Sequence, residues 1–227
     1  MESQVRGGTR WKRFALVMVP SVAATAAIGV GLAQGALAAS FSVSGVDFKV
    51  TAQELVGNNL LQYGSVATGK TLEGKDAEPH PVVVSGFSDA KITNMCQSVV
   101  QPLPFGLGNV TMTLRAGQKE QIEASNLYLD VSQLDTDATF TNIDIGVAAG
   151  EGKRDASGKV VTKIQPGADG KTPGGNPYGF AQRADVAKLQ NVSQRAWATT
   201  AGTFKLPGLS LRLSKGGPEC ELPKAAQ

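Results

Sequence analysis

One histidine and two cysteines are all that this chain offers of the residues that most often do chemistry. With His80 alone, a His-rich zinc site is excluded, and any Ser-His-acid triad would have to use that residue. Neither Cys96 nor Cys220 lies in a C-x-x-C pair, so redox and zinc-ribbon signals are missing. There is no phosphate-binding glycine loop and no basic–aromatic patch, so neither a cofactor nor a nucleic-acid partner is expected. Lys and Arg are absent from Gln121 to Gly152, while Glu123, Asp130, Asp135, Asp137, Asp144 and Glu151 fall within that stretch. A hard cation needs six to eight converging oxygens. Asp135 and Asp137 offer two, but the glycine and distal glutamate of a calcium loop are missing, so these acids read as solvent-facing strand residues and no metal site is expected.

Arg6, Arg10, Lys12 and Arg13 precede an apolar run from Phe14 to Leu32, and "QGALAAS" follows. That order is a charged region, an apolar region and an A-x-A cleavage site, as in a secretory signal. Residues 1–38 therefore read as a signal peptide, leaving residues 39–227 as the mature chain. The alternative is a membrane anchor formed by residues 14–32, the only expected membrane contact. That run is close to the length a span requires, but Pro20, Gly29 and Gly31 interrupt it. Losing residues 1–38 would leave 18 basic and 18 acidic residues, so the basic balance belongs to the signal. The expected location is secreted or cell surface. In an exported chain the cysteine pair reads as one disulfide, Cys96–Cys220.

After the signal the pattern is that of strands. Phe48 and Val50, then Val110, Met112 and Leu114, then Leu127, Leu129 and Val131, then Leu209, Leu211 and Leu213 alternate with other residues between Gly, Asn and Pro punctuation. Only "SQRAWATTA", around Trp197, has helical spacing. The expected fold is one all-β domain of mainly antiparallel strands, a sandwich or curved sheet, with a β-solenoid as the alternative. A faint repeat joins "DAKITNM" at Asp89, "DATFTNI" at Asp137 and "VAKLQNV" at Val186. Its asparagine reads as structural, a residue that tolerates left-handed backbone at a bend or bulge. In the second copy Ala138 and Phe140 share one parity and Ile143, Ile145 and Val147 the other, and a bulge at Thr141-Asn142 would let both halves face the core. Residues 150–180 are crowded with Gly, Pro, Asp and Lys and read as a long exposed loop, with a small hairpin at Val160 to Ile164.

Two further readings concern chemistry. "GFSDA", with Ser88 at its centre, is the nearest approach to a nucleophile elbow, but it lacks the closing glycine and a following helix. His80, between two prolines, reads as a surface-loop residue, so no catalytic residue is assigned. Asn109 and Asn191 each begin a glycosylation sequon.

The segments "ALAASFSVSG", "KITNMCQSVV", "ATFTNIDIG" and "AWATTAGTFKLPGLSL" resemble those of an uncharacterised family of exported actinobacterial, Streptomyces-type proteins, often labelled "cholesterol esterase". The resemblance implies a secreted or cell-envelope protein and carries no catalytic residues. The expected function is non-enzymatic: a structural or partner-binding role with an unknown envelope protein. The alternatives are a carrier of a lipid or other hydrophobic ligand, and a secreted esterase.

Overall fold

The computed structural model describes residues 45–71, 74–103, 106–167 and 172–222. The expected signal and anchor segments, 1–38 and 14–32, lie outside the described residues. Three strands are very long: β1 (Phe48–Ala67), β5 (Ile122–Thr141) and β9 (Phe180–Thr200). A straight strand of that length would reach about 65 Å, well beyond the roughly 40 Å diameter of a compact unit of this size. These strands must therefore bend, and the sequence supplies the means.

Five asparagines have positive φ, between 48° and 53° at Asn59, Asn94, Asn126 and Asn142 and 54° at Asn191. Left-handed backbone is disfavoured for residues with a Cβ, and asparagine is among the few that adopt it. In every case the residue two before and the residue after both face the core or pack against it: Gly57 and Leu60, Ile92 and Met95, Ala124 and Leu127, Phe140 and Ile143, Leu189 and Val192. Each asparagine thus shifts the two-residue alternation by one, and the strand can turn without losing its buried face. The slip expected at Thr141-Asn142 is present. Ala138 and Ile145, however, do not face inward: Ala138 is exposed, and Ile145 is 65% exposed, next to Gly146 at φ 89°.

The shift passes sideways as well. β2 (His80–Thr93) pairs antiparallel with β1 and with β5, and β9 pairs antiparallel with both β1 and β5. The pairing therefore runs in a circuit, β1–β2–β5–β9–β1, and the sheet curves around its own core. Across from Asn59, Phe87 and Ala90 are both buried on β2, and Ala184 and Ala187 are both buried on β9. The β1–β9 register nevertheless holds from Phe48↔Ala196 to Tyr63↔Ala181. Neighbouring strands change phase together. The asparagine side chains tie these lines: Asn59 Nδ2 donates to Ser88 Oγ at 2.9 Å, Asn142 Nδ2 to Asp185 Oδ2 at 2.7 Å, and Asn191 Nδ2 to Asp137 Oδ2 at 2.9 Å.

Asn126→Gly is therefore expected to leave stability within about 0.5 kcal/mol of the parent, while Asn126→Val should lose about 1–2 kcal/mol. Urea midpoints at constant m-value would measure both. Equal effects from the two substitutions would sink this account of the asparagines.

A wing extends from the circuit: β3 (Met95–Pro102) pairs with β1, β4 (Asn109–Ala116) with β3, and β11 (Ser210–Lys215) with β4. β6 (Asp144–Ala148) pairs with β9, and β10 (Thr203–Lys205) with β5. Every ladder is antiparallel, so the solenoid alternative, built from stacked coils, does not apply. Among the described residues there is no α-helix. The segment around Trp197, where helical spacing competed, lies inside β9: its buried Gln194, Ala196 and Ala198 keep strict alternation.

The outer face carries two coverings. The C-terminal segment crosses β1, β3 and β4, where Thr51, Ser98 and Thr111 are fully buried. Thr51 Oγ1 donates to Glu221 O at 3.2 Å, Thr111 Oγ1 donates to Gly217 O at 2.7 Å, and the Cys220 amide donates to Ser98 Oγ at 2.9 Å. Cys96 and Cys220 stand at disulfide distance there, with a Cα–Cα separation of 5.8 Å. The second covering is the segment expected as an exposed loop. Its tip is exposed, and it forms a hairpin, β7 (Lys153–Arg154) with β8 (Val160–Thr162). The hairpin begins earlier than expected, and the stretch from Thr162 to Gln165 is bound to the sheet. Thr162 is buried and donates to Asn59 O at 2.7 Å, and Tyr128 donates to Lys163 O at 3.0 Å. The Gln165 amide donates to the Tyr63 hydroxyl at 2.9 Å. These bonds cover a second apolar cluster that includes Leu61, Tyr63, Val82, Val84 and Ala181.

Candidate functional site

Each sequence candidate for chemistry has a structural partner. Ser88 lies within β2, not at a strand–turn–helix elbow; its oxygen accepts from Asn59 Nδ2 and lies 2.8 Å from Asp89 Oδ2. His80 is not a loop residue. It opens β2 and stacks on Trp197, with ring centroids 3.7 Å apart and planes 7° from parallel. Ser88 and His80 are eight residues apart on one strand, about 26 Å at extended spacing. No nucleophile–base pair forms between them.

The acids of residues 121–152 are distributed in the same way. Asp137 accepts from Asn191, and Asp135 accepts from Gln133 Nε2 at 2.8 Å. Arg183 bridges Asp144 at 2.9 Å and Glu151 at 3.1 Å, and Lys153 pairs with Asp185. Hydrogen bonds from Lys153 and Asn142 hold the Asp185 carboxyl below the usual carboxylate range. The acids do not converge, and among the described residues no group of three or more His, Cys, Asp or Glu side chains could hold a metal ion.

One carboxylate differs. Asp130 lies opposite Val84 on β2 and Ala198 on β9, both members of the apolar cluster under the 150–180 segment. Burial pushes its pKa up to about 6 from 3.8, and burial also pushes the phenols of Tyr63 and Tyr128 up. Between about pH 4 and pH 6 the folded protein then holds a proton that the unfolded chain has released. This contribution to stability falls as pH rises through that window and levels off above it. Asp130→Asn is expected to stabilise the protein at pH 7 by about 1–3 kcal/mol and to make no such difference at pH 3.5. Thermal or urea unfolding at the two pH values would test it, and a variant less stable than the parent at pH 7 would contradict it.

The interior holds a cavity of about 20 Å³ lined by residues including Leu55, Ile92, Leu127, Val192 and Phe204. That is room for about one water, far below the several hundred cubic ångströms of a typical ligand pocket.

Exposed apolar residues occur at both edges of the sheet, and others, such as Val66 and Val83, lie on the central strands β1 and β2. On β11 and just before it, Leu209, Leu211 and Leu213 are 53%, 58% and 67% exposed. Their alternation reads as that of a half-buried strand. Their face does continue the core through Leu114 and Met112 on β4, but β11 is the last strand of the wing and no described element covers it. At the other edge, Ile145 of β6 pairs with Gln182, one position along the same face from Phe180, and Tyr178 follows in the loop. Phe180 is 66% exposed and Tyr178 is 91% exposed. Sequence reasoning missed these two aromatics; the signal was "NPYGF", large rings set among turn residues in an aromatic-poor chain.

The fold and its surfaces define an antiparallel all-β protein whose distinctive features are exposed apolar edges and covered outer faces. Residues 44–221 match a family of unknown function (DUF6230), and the chain belongs to that family. No curated protein and no solved structure matches it.

Proposed function

We propose that this protein is a non-enzymatic protein of the secreted or cell-envelope surface that acts by binding a protein partner. The observation that carries the reading is the aromatic patch of Tyr178 and Phe180, with Ile145 beside it, at the end of the strapped 150–180 segment. Large apolar residues that protrude from a rigid sheet are the usual anchors of protein interfaces. An apolar patch exposed in this way is a contact surface waiting for a partner.

The location rests on the sequence: the charged and apolar N-terminal order, the cleavage-like "ALA" and the resemblance to exported actinobacterial proteins. The cysteine pair suits an oxidising compartment. Among the described residues no helix is long and apolar enough to cross a membrane. The cavity among Leu55, Ile92 and Leu127 has no room for a lipid. The separation of Ser88 from His80 supports partner binding over the esterase.

The test is site-directed photo-crosslinking in the producing cells, with the probe at Tyr178 and, as a control, at exposed Lys119. A specific adduct from position 178, lost on Phe180→Ala with the fold intact by circular dichroism, is the expected result. Equal labelling from both positions would overturn the assignment of this patch. Ester hydrolysis by the purified protein, abolished by both Ser88→Ala and His80→Ala, would overturn the non-enzymatic reading.

A further inference from the structure

The two edges of the sheet differ in a way that points to self-association. β6 is five residues long, and its register with β9 shifts between Ile145 and Val147, around Gly146. Bulges and short length are how proteins blunt an edge. β11, six residues long, carries Arg212 and Lys215 but has no bulge: it pairs with β4 without a shift over all six positions, Ser210↔Arg115 to Lys215↔Val110. The Gly216 amide donates to Asn109 O at 2.9 Å, so Gly216 and Asn109 are a hydrogen-bonded pair. Hydrogen-bonded and non-bonded pairs alternate in an antiparallel ladder. Ser210, Arg212 and Ser214 therefore direct their backbone groups to β4, and Leu211 and Leu213 direct theirs to the free edge. The same leucines carry the exposed apolar side chains.

We propose that β11 is the interface of a two-fold dimer, in which it pairs antiparallel with β11 of a second copy and Leu211 sits on the axis. The sequence around Leu211 is self-complementary. With Leu211 opposite its own copy, Leu209 faces the second Leu213, and Arg212 faces the second Ser210. This register gives about four to six backbone hydrogen bonds and joins the two leucine rows into one apolar surface. A shift that centres the pair on Arg212 would place two arginines opposite each other, which is destabilising, and would set Leu209 against Lys215. A shift that centres it on Leu213 would set Leu211 against Lys215. The leucine-matched register is also isologous, as a closed two-fold interface requires. The proposal is independent of the partner reading above, which uses the opposite edge; a monomer in solution would end this one and leave that one standing.

The experiment is sedimentation equilibrium of the purified, oxidised full-length chain, with three variants at exposed positions. The parent is expected to show a reversible dimer. Leu211→Lys sets two lysines opposite each other on the axis and is expected to weaken it by at least about tenfold. Leu211→Cys is expected to form an intermolecular disulfide, because paired Cα atoms stand about 5.5 Å apart. Leu213→Cys is not, because its copy lies four residues away, about 13 Å along the strand. Peptide mapping would confirm that Cys96–Cys220 is retained. A monomer at every concentration, with or without another chain or a lipid on β11, would overturn the proposal. A dimer indifferent to Leu211→Lys, or one captured through position 213 and not through 211, would overturn it equally. If Leu211→Lys fails to fold, the two cysteine variants decide.

Discussion

Replacing Cys96 and Cys220 by serine is expected to destabilise the protein by about 2–5 kcal/mol. The two cysteines are 124 residues apart, so the bridge closes a very long loop. In the chain-entropy model a loop of that length is worth close to 5 kcal/mol, and measured values are often smaller. The native side of the balance points the same way. Cys220 anchors a segment whose backbone serves three fully buried hydroxyls, on Thr51, Ser98 and Thr111. Release of the tail leaves each hydroxyl to find water or remain unpaired, and an unpaired buried hydroxyl costs about 1–3 kcal/mol. Arg195 also holds the tail through Glu219 at 3.0 Å, and it holds Asp47 at the start of the described chain at 3.1 Å. Asp47 and Glu219, near the two ends of the described residues, therefore meet at the same arginine. Urea unfolding of the double serine variant should show a lower midpoint, and reductant should bring the parent to the same value. A midpoint unchanged by either treatment would show that the tail docks without the bridge.

The all-β class was legible because alternation is local: Leu127, Leu129 and Val131 are all buried, as their spacing required. The cysteine pairing was legible from the count of two and the expected export of the chain. The asparagine of the repeat was legible as a backbone device, because few residues with a Cβ adopt left-handed geometry. What the repeat did not reveal is that Asn59 and Asn126 do the same work outside it. Their flanks, "GNNL" and "ASNL", have a small residue where "ITNM", "FTNI" and "LQNV" have a large one. The fate of Leu211 and Leu213 was not legible at all. A leucine row on a central strand and one on an edge strand have the same spelling, and strand order is set by pairings between residues far apart in sequence. The same holds for His80: its place between two prolines suggested a loop, and only the β5–β9 pairing brings Trp197 to it. Among the acids, legibility failed because no local signal says which carboxylate will find a basic or amide partner across the sheet.

The last expectation concerns the small residues at the centre of the circuit. Gly57 lies opposite Ala90 on β2 and opposite Ala187 on β9, and Ala90 lies opposite Ala124 on β5. These four form a strip without bulk across four strands. Phe87, 1% exposed, fills the space above it: a Cβ built on Gly57 would stand 2.3 Å from the Phe87 ring. Gly57 does not need a left-handed backbone there, so its role is to make room and not to turn the chain. Phe87→Ala should destabilise the protein by about 3–5 kcal/mol, the usual loss for a buried aromatic. Gly57→Ala should cost about 1–3 kcal/mol, because the ring must leave its rotamer or the strand must shift. The two effects should not add. With the ring gone, the methyl introduced at position 57 enters the space that Phe87 vacated, so the double variant should be more stable than the sum predicts by at least about 0.5 kcal/mol. Urea unfolding of the parent, both single variants and the double variant supplies the cycle. Additive losses would mean that the core relaxes around position 57 independently of Phe87, and the strip would then owe its small residues to something other than that ring.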